Sequence, residues 1–271
     1  MSGNLFLCPT PIGNLEDITL RVLRILKEVD IIAAEDTRQT MKLLNHYDIK
    51  KTVVSYHEHN KVSSGLKLID ELKAGKNVAL VTDAGTPGIS DPGEDLVRLC
   101  INEKINVISL PGATAITTAL VGSGLDTKKF VFMGFLPTKK SDRENAMKEI
   151  SREKRTVIIY EAPHRIISTL NEIKSYIDDR KIVIARELTK VHEEYLRGTV
   201  EEVLCKIGEG LKGELVVLIE GAKDEILLEP KELLQKYLEC GMDKKEAIKM
   251  TAKQLKIPKS EIYKLTLKED R

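Results

Sequence analysis

Residues 82–93 read Thr-Asp-Ala-Gly-Thr-Pro-Gly-Ile-Ser-Asp-Pro-Gly and follow an apolar run, Val78-Ala79-Leu80-Val81. Glycine lets a backbone approach a ligand with no Cβ in the way, and proline holds that backbone still. A phosphate cradle needs a lysine and a Gly-Lys-Ser/Thr ending. This stretch has no lysine; it carries Asp83 and Asp91, with Glu94 and Asp95 just beyond. Such a loop repels a polyanion and suits a ligand with a positive centre. The plainer reading is a surface turn between two βα units.

Two more stretches follow apolar runs in the same way. Pro9-Thr10-Pro11-Ile12-Gly13-Asn14-Leu15 comes after Leu5-Phe6-Leu7-Cys8, and Pro111-Gly112-Ala113-Thr114-Ala115 after residues 106–110. Glu35-Asp36 comes after Ile31-Ile32-Ala33-Ala34. Strand, glycine, helix, strand, acid is the outline of a dinucleotide site. Gly13 stands alone where two or three glycines are required, so that reading fails in detail. Loops at the carboxyl ends of parallel strands are still where open α/β sheets bind ligands.

Candidate proton acceptors are Glu35, Asp36, His57, Glu58, His59 and His164. Asp36 and His57 are favoured because both follow strand ends on the ligand side. Each candidate has a plainer role. Glu35-Asp36 before Thr37 suits a helix cap, and His164-Arg165 after Pro163 suits a helix start. His57 and His59 would share a strand face, which invites a metal, but no third ligand is evident and none is assigned. Arg38, Lys42, Arg165, Arg186 and Lys190 singly read as solvated surface; as a rim around one cleft they would receive RNA phosphates.

These loops need a scaffold. Short apolar runs alternate with helical periodicity up to about residue 110, which predicts βα units and a mostly parallel sheet. Ile18, Val22, Ile25, Leu26 and Val29 share one helical face; helices are also expected over residues 63–74 and 94–102. A second set of strands is expected at 131–134, 156–160, 182–185 and 215–219, with helices at 143–152 and 166–177. The expected organisation is α/β: an N-terminal lobe over 1–115, a C-terminal lobe with a mixed sheet over 116–225, and a small helical tail over 226–271. Between Lys231 and Lys268 ten lysines face five acids. Asp243 with Glu246 is a capping-box pattern and Gly241 suits a helix end. Ala247, Ala252, Leu255, Ile257, Ile262 and Tyr263 are the expected tail core. The alternative for this tail is a solubilising helical cap.

The 271 residues are 42% hydrophobic and carry a net charge of +1, so no whole-chain attraction to nucleic acid is expected. The four cysteines are scattered, with no Cys-x-x-Cys, which fits a reducing cytoplasm and argues against a zinc site. No apolar run approaches membrane-spanning length and no secretory signal is read at the N-terminus. Tryptophan is absent, so an extended base-stacking platform is not expected.

Taken together, Pro-Thr-Pro-Ile-Gly-Asn-Leu, Ala-Glu-Asp-Thr-Arg, Ser-Tyr-His-Glu-His-Asn, the 82–93 loop, Pro-Gly-Ala-Thr-Ala, Tyr-Glu-Ala-Pro-His-Arg and Ala-Arg-Glu-Leu-Thr-Lys resemble one family. It is the ribosomal RNA small subunit methyltransferase I family, a branch of the tetrapyrrole methylase superfamily. The resemblance spans about residues 5–221. It implies two α/β lobes with a cofactor cleft between them, usually as a homodimer. It also implies S-adenosylmethionine (SAM) as methyl donor and the ribose 2′-hydroxyl of a cytidine in the decoding region of 16S rRNA as acceptor. By position it implies cofactor contacts at Pro11, Ile12 and Gly13, at Asp83, Gly85, Gly88 and Ile89, and at Thr114 and Ala115. From the second lobe it implies Tyr160 and Glu161, Arg186 and Glu187, and Gly213 and Glu214. It implies too that the tail is similar to a helix-turn-helix. The second loop is longer than in porphyrin-type methylases, and the first has Pro and Thr where glycines are usual. Both departures are shared with the ribosomal branch and favour RNA. The competitors are a methylase of a small tetrapyrrole-like molecule and a non-catalytic RNA-binding assembly factor.

Overall fold

The structure is a computed structural model that describes residues 2–177, 179–223, 229–255 and 257–266. Five short strands, β1 (Asn4–Leu7), β2 (Ile31–Ala34), β3 (Thr52–Ser55), β4 (Val78–Val81) and β5 (Asn106–Ser109), form a sheet in the order β3-β2-β4-β1-β5. Every pairing in it is parallel. All carboxyl ends therefore open on one edge. β2 and β4 are buried at every position, as apolar runs covered on both faces must be.

Helices α1 (Leu20–Glu28), α2 (Thr37–His46), α3 (Lys61–Lys73) and α4 (Gly93–Asn102) connect the strands. α1 buries Val22, Ile25 and Leu26, and Thr19 caps it by accepting from the Val22 amide. α2 is capped by Asp36, whose carboxylate accepts from the Arg38 amide. The sequence expectation that His57 and His59 share a strand face is corrected. β3 ends at Ser55, and Asn60 Oδ1 accepts from the His57 amide at 2.8 Å, closing a turn instead.

The second sheet contains β6 (Phe130–Phe135), β7 (Thr156–Glu161), β8 (Lys181–Arg186), β9 (Glu194–Thr199) and β10 (Leu215–Ile219), in the order β6-β7-β10-β8-β9. β6 and β7 are parallel; the other pairings are antiparallel. One face packs on α6 (Lys140–Arg152), α7 (Ile166–Lys174) and α8 (Val200–Ile207), through Met147, Ile150, Leu170, Ile173 and Val203. Buried Arg180 donates to the carbonyls of Ile150 and Glu220, closing this core at one end.

α5 (Ala115–Ser123) joins the lobes. Its Ile116, Ala119 and Leu120 share a core with Ile158, Val183, Val216 and Leu218 of the second sheet and with Ile12 and Leu188. The Tyr195 hydroxyl donates to Thr118 O at 3.1 Å, and Arg197 Nε to Ser123 O at 3.1 Å. A β-carbon at Gly122 would press on the Tyr195 ring, so glycine lets the ring sit here without shifting. The two lobes form one compact unit, Met1–Ala222.

The other unit is Lys223–Arg271. Its helices α9 (Pro230–Glu239), α10 (Lys244–Leu255) and α11 (Lys259–Thr266) enclose a small core of Leu234, Ala247, Ile248, Ala252 and Ile262. Asp243 Oδ1 accepts from the Lys245 and Glu246 amides, and Gly241 takes φ +83 where α9 ends. Leu255 and Ile257 are half-buried. Tyr263 departs from the expected core: it is 54% exposed, on the outer side of α11. Residue 226, set as the start of the tail, lies outside the described residues.

Candidate active site between the two lobes

The loops after β1, β4 and β5 are fastened to one another by backbone and hydroxyl bonds. The Thr10 amide donates to Gly85 O at 2.9 Å and the Gly85 amide to Thr10 O at 3.0 Å. The Thr10 hydroxyl donates to Thr82 O, and the Thr86 hydroxyl to Ala113 O. Within the 82–93 loop, the Asp91 carboxylate accepts from the amides of Gly88 and Gly93. Gly85 and Gly88 take φ +83 and +90, conformations closed to most side chains. The loop is therefore a pre-set surface rather than a slack connection.

It faces a cavity of about 600 Å³ between the lobes. The first lobe contributes Ile12 and Glu35, Gly85 and Ile89, and Thr114 and Ala115. Tyr160, Glu161, Gly213 and Glu214 come from the second. Among the described residues, four carboxylates line it, Glu35, Asp91, Glu161 and Glu214, with no lysine or arginine. Glu161 is buried, accepts from the Thr169 hydroxyl and the Ala162 amide, and lies 3.4 Å from Arg165. Glu214 meets Lys190 at 3.3 Å. Glu35 accepts from the Thr82 hydroxyl at 3.0 Å. Burial pushes its pKa up, the charges of Asp83 and Asp91 add to that, and the Thr82 bond and His57 pull it down.

The neighbouring carboxylate is in a different situation. Asp36 does not line the cavity; it accepts from the Arg38 amide and from the Arg38 guanidinium. That pairing holds it at about 2, too weakly basic for proton abstraction at neutral pH. His57 also stands outside the lining, half-buried, and its Nδ1 is buried with no hydrogen-bond partner among the described residues. His164 is exposed in a 3-10 turn before α7. Its neighbour Pro163 lines the cavity, and His164 itself does not.

Pro11, Gly13 and Asp83 line a smaller crevice of about 240 Å³ beside the main cavity, with Lys42, Gln39 and Thr82. Thr82 borders both spaces. Gly88 serves the loop through its amide, not the lining. Glu187 stands behind the wall, where its Oε1 accepts from the Glu214 amide at 2.9 Å and from Lys190 Nζ at 2.8 Å. Glu187 and Thr189 take φ +51 and +66, an uncommon backbone for residues with side chains. A β-carbon at Gly13 would lie 2.5 Å from Lys190 Cγ and 2.9 Å from Leu188 O, so the first loop and this turn touch.

Of the five expected rim cations, Arg186 pairs with Glu194, Arg165 with Glu161 and Lys190 with Glu187 and Glu214. Arg38 pairs with Asp36 yet is 86% exposed, and Lys42 donates to Gln39 Oε1. Sequence reasoning did not single out Phe135 or Leu188, which also line the cavity. Leu188 was visible within Ala-Arg-Glu-Leu-Thr-Lys; nothing in the sequence marked Phe135. Among the described residues there is no cluster of three potential metal ligands and no helix long and apolar enough to cross a membrane.

The family model for tetrapyrrole (corrin/porphyrin) methylases matches residues 4–204. Ribosomal RNA small subunit methyltransferase I of Halalkalibacterium halodurans is 49% identical, covering 97% of this chain and 94% of its own. The chain belongs to the ribosomal RNA small subunit methyltransferase I family. Members of that family from Bacillus subtilis and Synechocystis are 46% and 44% identical, over 96% and 98% of this chain and 93% and 98% of theirs. Solved structures agree on the fold. Uroporphyrin-III C-methyl transferase from Thermus thermophilus, complexed with S-adenyl homocysteine, superposes with a TM-score of 0.57 at 18% identity, covering 80% of this chain and 97% of its own. Diphthine synthase superposes with a TM-score of 0.62 at 16% identity, over 81% and 90%. The two-lobed frame of this chain is thus shared with both of these proteins.

Proposed function

We propose that this protein is a SAM-dependent methyltransferase acting on the ribose 2′-hydroxyl of a cytidine in the decoding region of 16S rRNA. The observation that carries the reading is the cavity between the lobes, lined among the described residues by four carboxylates and no lysine or arginine. A sulfonium cation suits such a surface, and a nucleotide phosphate does not. Family membership supports the acceptor.

Ile12, Gly85, Ile89, Thr114 and Ala115 would contact the donor from one lobe, and Tyr160, Glu161, Gly213 and Glu214 from the other. Pro11, Gly13, Asp83, Gly88 and Glu187 would hold those loops in place. The donor, when bound, supplies an electrophilic methyl group. The chain's own part is to align the acceptor, exclude water and take a proton. Glu35 is the residue we assign to the proton, because its carboxylate lines the cavity and burial makes it more basic. His57 would tune Glu35 electrostatically. Lys42 and Arg38 would meet RNA phosphates outside the acidic cavity; Arg165, Arg186 and Lys190 would chiefly hold the second lobe's own loops.

The organisation that accompanies this reading is a first lobe over 1–115, a second over 116–225 and a helical tail over 226–271. The substrate would be rRNA within the small ribosomal subunit, and the enzyme a cytoplasmic homodimer. Incubation with labelled SAM and small subunits lacking the modification, followed by mapping of the labelled nucleotide, tests it. Label on the cytidine ribose is the expected result. Label on a base, or on a tetrapyrrole and not on subunits, would refute it.

A further inference from the structure

A regular β6 would place Phe135 on the side of Val131 and Met133, which pack into the α6–α7–α8 core. The strand is not regular. Phe132 pairs with Ile158, Gly134 with Ile159 and Phe135 with Tyr160, so one extra residue is inserted between Phe132 and Gly134. Such a bulge turns every later side chain to the opposite face. Phe135 thereby joins the side of Ile158 and Tyr160, which faces the cavity and α5. Gly134 accommodates the bulge with φ +66.

The redirected ring is not buried by the move. Phe135 lines the cavity yet stays 57% exposed, with its centroid 5.5 Å from that of Tyr160. Ile89 of the 82–93 loop, 42% exposed, also lines the cavity. Among the described residues they are the two large apolar side chains of the lining that remain exposed. Ser90 Oγ stands 3.6 Å from the β-carbon position of Gly134, which brings the Ile89 loop and the bulge to the same part of the rim. An aromatic ring backed by Tyr160 and open outward is a place for a flat, neutral partner.

We propose that Phe135 is the stacking platform for the base of the acceptor nucleotide, with Ile89 as its second apolar wall. The inference rests on the proposed RNA acceptor. The acidic cavity keeps phosphates out, so the part of a nucleotide that enters is the base with its ribose. Single-stranded RNA is commonly read by laying unstacked bases on aromatic rings. Phe135 is chosen for the acceptor base and not for the donor's adenine because its ring, although part of the lining, stays 57% exposed to solvent, where an incoming nucleotide can reach it.

The test compares wild type with F135A, F135L and F135Y. One measurement is S-adenosylhomocysteine affinity by calorimetry; the others are binding and methylation of unmodified small subunits. F135A and F135L are expected to lose about tenfold or more in kcat/KM for subunits, with S-adenosylhomocysteine affinity within twofold of wild type. F135Y is expected to keep activity, because it keeps the ring. Full activity in F135A, or in F135L, overturns the proposal and leaves the function standing. A matching loss of S-adenosylhomocysteine affinity overturns it too, by assigning the ring to the donor. A wild type that binds S-adenosylhomocysteine but neither binds nor methylates subunits overturns the RNA acceptor, and this inference with it.

Discussion

The Thr82 hydroxyl donates to Glu35 Oε2 across 3.0 Å, tying the end of β4 to the end of β2 at the cavity wall. Glu35→Gln preserves the shape and removes the basic carboxylate. Methyl transfer with saturating SAM is expected to fall by about a hundredfold or more in single turnover. Stability should move the other way. Burial raises the Glu35 pKa, so the folded state holds its proton more tightly than the unfolded chain, and stability declines as pH rises through the folded value. The variant escapes that penalty. Thermal melts should show it gaining on wild type at pH 8 more than at pH 5.

Asp36→Ala separates capping from catalysis. The carboxylate caps α2 and is held at about 2, chiefly by its hydrogen bonds to Arg38. Its stabilising effect is present above the ordinary value of 3.8 and is lost as pH falls through about 2. The variant should melt below wild type at neutral pH and converge with it in strong acid. Its transfer rate should fall far less than that of Glu35→Gln. An equal loss in both would return the proton to Asp36.

Gly13→Ala should damage the join between lobes. Its β-carbon would stand 2.5 Å from Lys190 Cγ and 2.9 Å from the Leu188 carbonyl, and a carbonyl cannot rotate away as a side-chain tip does. Overpacking of this kind costs about 1–3 kcal/mol. Urea denaturation should report a lower midpoint, and calorimetry a weaker S-adenosylhomocysteine affinity, because Ile12 and Leu188 line the cavity from the two sides of this contact.

Thiol labelling should divide the four cysteines into two pairs. Burial pushes the Cys8 thiol up to about 12 and that of Cys100 to about 11, while Cys205 and Cys240 are exposed. A thiol-reactive probe at pH 8 should modify the exposed pair in the native protein. Cys8 and Cys100 should react only after denaturant is added.

Legibility in the sequence followed burial. β2, β4 and β10 are apolar runs buried along their whole length, and a run of that kind declares a strand. β9 escaped because its Glu-Tyr-Leu-Arg-Gly-Thr has no such run and stands at the edge of the sheet, paired with β8. α8 escaped although Thr199 and Glu202 form a capping box at its start. At the site, the loops were legible because Gly and Pro restrict the backbone wherever they stand. The roles of Glu35 and Asp36 were not, because adjacent carboxylates look alike until one of them caps a helix and the other reaches the cavity. Phe135 and Leu188 depend on a bulge and on the left-handed turn at Glu187 and Thr189, which residue types alone do not announce.

α5 runs on from the last loop of the first sheet, yet its apolar side is sunk among β8, β9 and β10, and Tyr195 and Arg197 grip its backbone. A beam that springs from one wall and is embedded in the other ties the two together. What enters then meets a frame that this beam ties together, with the turns and side chains of the entrance as its less anchored parts. The pace of product departure should accordingly respond to changes around Ser90 and Gly134, where the two lobes approach at the entrance.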